Sequence, residues 1–332
     1  MNNLVFGTGL IGGFVGGGLI NAGINTVFMG RKKHRTAMQA GLTISALSGH
    51  KVSVSPPVFL DAASAERFDV IWLTVKCTAI ESSVAQLKQL TKPSTIIVCC
   101  QNGIGTDAII KEGFPNNPVV SAVVGFNVAE QNGDHLHRST DGSLVIEAHP
   151  VLDDYARRLN SAILPVYSTN NIEAERWAKL QLNLANPVNA LADIPTKAMT
   201  EDPDYRKVIS ALMRELLSVT KAMKLSLPKL KAVPARSLPL ILNLPNFIYL
   251  KLAQKTLAID PTARVSMWWD LSQGRKSEIE FLNQAIVEQG KELGIDCVYN
   301  ERIVKLIQKV ERNELEIGLT GTELQNLLGI SS

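Results

Sequence analysis

Several residues in this chain have types and spacings suited to chemistry, and Lys179, Asn183 and Asn186 are the most unusual of them. At about 100° per residue along a helix they fall within about 60° of one another. Such a stripe offers one cation and two neutral hydrogen-bonding groups without a counter-charge. A plain solvent-facing polar stripe is the other reading. Pro187 lacks the N–H that would bond the carbonyl of Asn183, so a kink is expected there.

A second set is Gly7-Thr8-Gly9-Leu10-Ile11-Gly12, a GxGxxG between an apolar run and a helical pattern. In that setting each glycine has a task. Gly7 permits a tight turn, Gly9 lets a pyrophosphate approach the backbone, and Gly12 lets helix and strand pack closely. The six positions are expected to hold a dinucleotide. The run after the next strand, Met29-Gly30-Arg31-Lys32-Lys33, carries no carboxylate for a ribose 2′-hydroxyl. Arg31 is suited to a bidentate contact with a 2′-phosphate, which favours NADP over NAD.

Two further strand ends run into polar residues. Val70 to Val75 leads into Lys76, and Ile96 to Cys100 leads into Gln101-Asn102-Gly103-Ile104-Gly105. Ligands of open α/β sheets bind at the carboxyl ends of strands, so Lys76 and Asn102 are candidates. Near the carboxyl end of the chain come Ser266-Met267-Trp268-Trp269-Asp270 and then Ser277-Glu278-Ile279-Glu280. Ser277 with Glu280 reads as a capping box opening the last long helix. Glu278 then lies in its first turn, on the stripe of Leu282 and Ala285, pointing inward or toward a cleft. A helix-dipole role is the alternative for it.

The elements that would position these groups follow from hydrophobic patterning. Residues 2–6, 25–29, 70–75, 95–100, 119–124 and 144–147 are short apolar runs, and Leu10 to Ala22 reads as a helix. Gly9, Gly13 and Gly17 recur every four residues along it, which implies close helix–sheet packing. Strands alternating with helices predict a doubly wound, Rossmann-type α/β sheet. Beyond residue 170 helical periods dominate, at 173–192, 203–224, 245–257 and 277–293. The expectation is a dinucleotide-binding domain over 1–170 followed by an all-helical domain over 171–332.

The chain has 332 residues, is 45% hydrophobic and 20% charged, and carries a net charge of +3. That balance supports a packed core, and the absence of a basic stripe argues against nucleic acid as a partner. Glycines interrupt the apolar amino-terminal stretch, and Pro239, Asn243, Pro245 and Asn246 break the stretch over 238–250, so no membrane association is expected. Four cysteines without a CxxC fit reduced thiols in a cytoplasmic protein. His135 and His137 face one side of a strand without an evident third ligand, so no metal site is expected.

Taken in order, the glycine loop with Arg31, Thr74-Val75-Lys76, Gln101 to Gly105, Lys179-Leu180-Gln181-Leu182-Asn183, and Ser266-Met267 with Glu278-Ile279 resemble the ketopantoate reductase (2-dehydropantoate 2-reductase) family over nearly the whole chain. The resemblance implies NADPH-dependent reduction of 2-dehydropantoate to pantoate, toward pantothenate and coenzyme A. It implies Lys179 as general acid, Asn102, Asn183, Ser266 and Glu278 as groups holding substrate, and Lys76 at the cofactor. The family's second helical asparagine lies eight residues after the lysine, where this chain has Pro187. Asn186 and Asn189 are the nearby candidates, and the helical wheel favours Asn186. The implied partner is a small 2-oxo acid, the implied assembly a monomer or homodimer. A related NADP-dependent reductase of another 2-oxo acid or ketone, and a non-catalytic NADPH-binding sensor, are the alternatives.

Overall fold

The computed structural model describes residues 1–330 except Ala62, Ala65, Lys231, Ala232 and residues 254–261. The chain divides into two compact units, Met1–Ile172 and Glu173–Ser332.

In the first unit the order is β1 (Asn3–Phe6), α1 (Leu10–Asn21), β2 (Thr26–Met29), α2 (Lys32–Met38), β3 (Leu42–Ala46), β4 (Lys51–Val54), β5 (Val58–Phe59), β6 (Val70–Leu73), α3 (Ile80–Leu90), β7 (Ile96–Cys99), α4 (Thr106–Gly113), β8 (Val119–Val124), β9 (Val128–Glu130), β10 (His135–Arg138), β11 (Leu144–Glu147), α5 (Pro150–Leu159) and β12 (Val166–Thr169). Eight strands form one sheet in the order β12-β11-β8-β7-β6-β1-β2-β5. The central strands β1, β6 and β7 are buried at every residue, and apart from Asn3 they are apolar throughout, as strands covered on both faces require. All neighbours are parallel except β11 against β8. The strand order reverses beside β1, whose two neighbours are β2 and β6, and that switch point is where open α/β sheets bind ligands.

A second, four-stranded sheet, β4-β3-β10-β9, was not read from the sequence beyond the strand character of His135 to His137. It explains the glycine period of α1. A Cβ on Gly16 would stand 2.3 Å from the Phe28 ring of the large sheet. On Gly13 and Gly17 it would stand 2.6 Å from Leu136 and 2.8 Å from Ile44, both of the small sheet. The helix is therefore clamped between two sheets, and Gly12 to Leu19 are buried without interruption.

The second unit is helical: α6 (Ile172–Asn183, whose first residue belongs to the first unit), α7 (Ala185–Ala192), α8 (Thr196–Glu201), α9 (Pro203–Ala222), α10 (Leu238–Leu242), α11 (Asn246–Ala253), α12 (Ser266–Leu271), α13 (Asn283–Glu292), α14 (Val298–Glu311) and α15 (Gly321–Leu328). The single helix expected over 173–192 is two, broken at Leu184. Pro187 is the cause: it has no N–H for the Asn183 carbonyl, and its ring crowds that oxygen. The helix expected over 245–257 is described only to Ala253. The long helix expected over 277–293 starts later, at Asn283, behind a 3₁₀ turn over Ile279–Phe281.

The capping box expected at Ser277 is not formed. The Ser277 hydroxyl accepts instead from Ile279 N at 3.3 Å. The Ser277 N–H goes to Glu311 Oε1 of α14 at 2.8 Å, and Glu280 accepts from Gln308 at 2.8 Å. Tertiary partners on α14 outcompete the local pairing. A capping box does exist in the chain, between Thr320 and Glu323 at the start of α15.

Candidate active site

The glycine loop joins β1 to α1. Gly7 adopts φ +107°, a left-handed conformation that favours glycine, and a Cβ there would meet Val75 N at 2.6 Å. Gly12 packs so closely that a Cβ would lie 2.0 Å from Gly7 O and 2.5 Å from Thr74 Oγ1. Gly9 is the opposite case: its Cβ position is open, with no atom within 4 Å.

At the start of α1 no side chain caps the first turn, and that turn holds no acidic residue. The first intrahelical acceptor bond is Gly13 N to Gly9 O at 2.8 Å. The N–H groups of Leu10, Ile11 and Gly12 precede it, and such orphan donors at a helix N-terminus attract anions. Thr8 Oγ1 adds a buried hydroxyl with no hydrogen-bond partner. An open backbone approach, orphan donors and no carboxylate together fit a dinucleotide pyrophosphate.

Arg31 follows β2, whose last residue Met29 pairs in register with Phe6 of β1 and accepts from Gly7 N at 2.8 Å. It is exposed, is the N-cap residue of α2, and places Nη2 3.4 Å from His34 Nε2. The neighbouring Arg35 is paired with Asp61 at 2.7 Å, whereas Arg31 meets no carboxylate among the described residues. Burial, with the charges of Arg31 and Lys33, holds the His34 imidazole below its usual pKa. Burial is the larger cause, and the Arg31 and Lys33 charges add to it.

The ends of β6 and β7 are stitched together by side chains. Thr74 Oγ1 donates to Gly7 O at 2.7 Å, tying β6 to the glycine loop. Gln101 Nε2 donates to Leu73 O at 2.7 Å and to Val75 O at 3.1 Å. Cys77 Sγ donates to Asn102 O at 3.1 Å. Lys76 and Asn102 are both exposed, and these bonds bring their two loops side by side. Thr74 and Gln101 escaped the sequence reading as functional residues. Their signal was only their place at strand ends, and their work is to brace the residues beside them.

In the second unit Lys179 and Asn183 lie one turn apart on α6. Lys179 is half-buried; Asn183 is buried and ends the helix. Its Nδ2 is enclosed with no hydrogen-bond partner, a donor held ready for an acceptor. Asn186 is half-buried on α7, beyond the break at Leu184, so the continuous wheel that grouped it with Lys179 does not run through. Asn189 is fully buried and committed to the fold: its Nδ2 donates to Ile194 O at 2.8 Å and its Oδ1 accepts from Val265 N at 3.3 Å. Ser266 is exposed as the first residue of α12. Glu278 is half-buried and precedes a 3₁₀ turn, not the first turn of a long helix.

Among the described residues no group of three or more His, Cys, Asp or Glu could hold a metal. The pair His135 and His137 instead shares Ser45 Oγ, 2.8 Å from each ring. No described helix is long and apolar enough to cross a membrane.

Comparison with known proteins bears on the same features. Residues 4–150 match the family model described as ketopantoate reductase PanE/ApbA, and residues 171–311 match its C-terminal counterpart. The 2-dehydropantoate 2-reductase of Archaeoglobus fulgidus is 26% identical over 92% of this chain and 97% of its own length. That of Pyrococcus horikoshii is also 26% identical, over 94% of this chain and 98% of its own. Among solved structures, a PanE/ApbA family ketopantoate reductase from Ralstonia eutropha superposes with a TM-score of 0.77 at 25% identity, covering 95% of this chain and 99% of that one. D-mandelate dehydrogenase in complex with NADH and anilino(oxo)acetate shares the fold at a TM-score of 0.74 and 20% identity, covering 95% and 99%. With the glycine loop, the braced strand ends and the Lys179–Asn183 helix in place, the chain is an oxidoreductase that belongs to the ketopantoate reductase family.

Proposed function

We propose that the protein reduces 2-dehydropantoate to pantoate with NADPH. The observation that carries this reading is the pairing, in one family member, of an anion-ready glycine loop followed by Arg31 with a helix that holds Lys179 one turn from the unpartnered amide of Asn183. The family's cofactor and the names of its curated members support the same reading.

When bound, the reduced nicotinamide supplies the hydride that turns the 2-keto carbon into a carbinol. The residues of this chain do the rest. Gly7 to Gly12 receive the pyrophosphate, Arg31 receives the 2′-phosphate, and Lys76 with Asn102 lines the loops at the cofactor. Asn183, Asn186, Ser266 and Glu278 hold the polar ends of the keto acid, with Glu278 accepting from its terminal hydroxyl. The keto oxygen gains negative charge as the hydride arrives, and the Lys179 ammonium stabilises that charge and delivers the proton. Between Asn186 and Asn189 as the second asparagine, the internal bonds of Asn189 favour Asn186. A monomer or homodimer working in the cytoplasm is the accompanying expectation; one solved structure sharing this fold is a dimeric ketopantoate reductase from Staphylococcus aureus.

The test is NADPH oxidation by purified protein with ketopantoate and a panel of other 2-oxo acids. Lys179→Ala should cut kcat by at least about a hundredfold, as loss of a positioned general acid does, while NADPH binding persists. A near-parental kcat in that variant would move the general-acid role to Lys76. Preference for another keto acid would keep the chemistry and change the substrate.

A further inference from the structure

Ser266 is exposed at the first position of a short helix, and a substrate group in such a place needs something to hold it. The structure supplies a clamp that the reaction itself does not use. Helix α7 ends at Ala192, and the next residue, Asp193, is left-handed with φ 52° and ψ 35°. Glycine is the default at this C-terminal position because a side chain there is strained. Here the position carries an aspartate whose carboxylate is engaged. Oδ1 accepts from Trp268 Nε1 at 2.6 Å and from Arg264 Nη1 at 2.7 Å. The Arg264 guanidinium also lies over the Trp268 ring, 4.1 Å from its centroid.

The backbone on either side of Arg264 is held as well. Thr196 N donates to Ala263 O at 2.9 Å, and Val265 N donates to Asn189 Oδ1 at 3.3 Å. Residues on both sides of Ser266 are therefore fastened to the end of α7, the helix that carries Asn186. Arg264 lies two residues before Ser266 and Trp268 two after.

We propose that Asp193 is a positioning residue for Ser266, fixing α12 on the end of α7 so that the Ser266 hydroxyl and Asn186 keep one spacing toward the keto acid. This rests on the reading of Ser266 as a group that holds substrate. The exchange of glycine for aspartate at a left-handed position is the mark of the device: local strain is accepted because the carboxylate secures a second helix.

The experiment compares Asp193→Gly, Asp193→Asn and Ser266→Ala with the parent in the full-length protein. Glycine relieves the backbone, so Asp193→Gly keeps its melting temperature while the clamp is lost. Its KM for the keto acid should rise about tenfold, the scale expected for one charge-assisted bond, with kcat and NADPH affinity little changed. Trp268 and Trp269 stand edge to face with centroids 4.8 Å apart, so their exciton couplet in circular dichroism reports the clamp directly. That couplet should weaken in Asp193→Gly. Asp193→Asn retains an acceptor for Trp268 and should restore the couplet and most of the KM.

A parental KM or an intact couplet in Asp193→Gly, alongside a raised KM in Ser266→Ala, overturns the positioning role alone. If Ser266→Ala itself leaves KM at the parental value, the assignment of Ser266 to substrate is wrong, and the role of Asp193 falls with it.

Discussion

Adding one methyl group to Gly9 and, separately, to Gly12 should separate cofactor binding from folding within a four-residue stretch. At Gly12 the new Cβ would stand 2.0 Å from Gly7 O, where real Cβ atoms essentially never approach within 3.0 Å. The two backbone segments must part by about 1 Å, the difference between those distances, and Thr74 Oγ1 at 2.5 Å blocks the other side. Overpacking of this kind costs about 1–3 kcal/mol, which lowers Tm by about 3–10 °C in a domain of this size. At Gly9 nothing lies within 4 Å, and φ −72° with ψ −164° suits alanine. Gly9→Ala should leave Tm within about 2 °C of the parent, helped by a stiffer unfolded chain. In the proposed binding mode, the open space at Gly9 is where the pyrophosphate approaches. A methyl group there takes away about one charge-assisted bond, worth roughly 1.5–3 kcal/mol, so the NADPH Kd should rise about ten- to a hundredfold. Differential scanning fluorimetry and NADPH fluorescence titration read the two quantities. A Gly9→Ala protein that binds NADPH like the parent, or that melts as early as Gly12→Ala, would refute the division of labour.

Arg31→Ala should weaken NADPH by about ten- to a hundredfold and leave NADH nearly untouched; equal weakening of both in the same titrations would remove the 2′-phosphate role. Glu278→Ala should raise KM or lower kcat for ketopantoate at a parental melting temperature, whereas lost stability with intact kinetics would mean that its carboxylate serves the fold. His34 is held below its ordinary pKa of 6.5 by burial and by Arg31 and Lys33, so the unfolded chain takes up the proton first as pH falls. Stability from this group is present above 6.5 and is lost below it. The drop in Tm between pH 7.5 and 5.5 should therefore be smaller in His34→Gln, and an unchanged drop would show that the folded protein does not hold the His34 imidazole below its ordinary pKa.

What the sequence made legible follows from how strongly each element declares itself. β6 and β7 are continuous apolar runs, β1 and β8 are apolar but for Asn3 and Ser121, and a GxGxxG between a strand and a helix has few other meanings. The small sheet was hidden because β4, Lys51–Val54, is partly exposed and polar at alternate positions, and β9 has only three residues. Pro187 announced a disturbance, and the break at Leu184 is its result. Around Ser277 a local motif pointed one way and the chain folded another, because Glu311 and Gln308 on a distant helix offered better partners. Asp193 had no sequence signal: its meaning depends on a left-handed backbone and on Arg264 and Trp268 about seventy residues away.

The burial of α1 between two sheets has an electrical consequence. Apart from its ends, this helix has no wet side, since Gly12 through Leu19 are all enclosed. The partial positive charge at its amino end is thus backed by a low-dielectric body that mobile ions do not enter, and salt screens such a source poorly. Arg31 stands in water two residues beyond β2, where ions screen charges over about 8–10 Å at ordinary ionic strength. If the glycine loop and Arg31 hold the cofactor as proposed, the part shared by both nicotinamide cofactors meets a field that ionic strength barely touches. On the same assignment, the 2′-phosphate, which tells them apart, meets a field that salt weakens. Discrimination between NADPH and NADH would then be a property of the protein together with its electrolyte, whereas the capacity to bind either cofactor would belong to the fold.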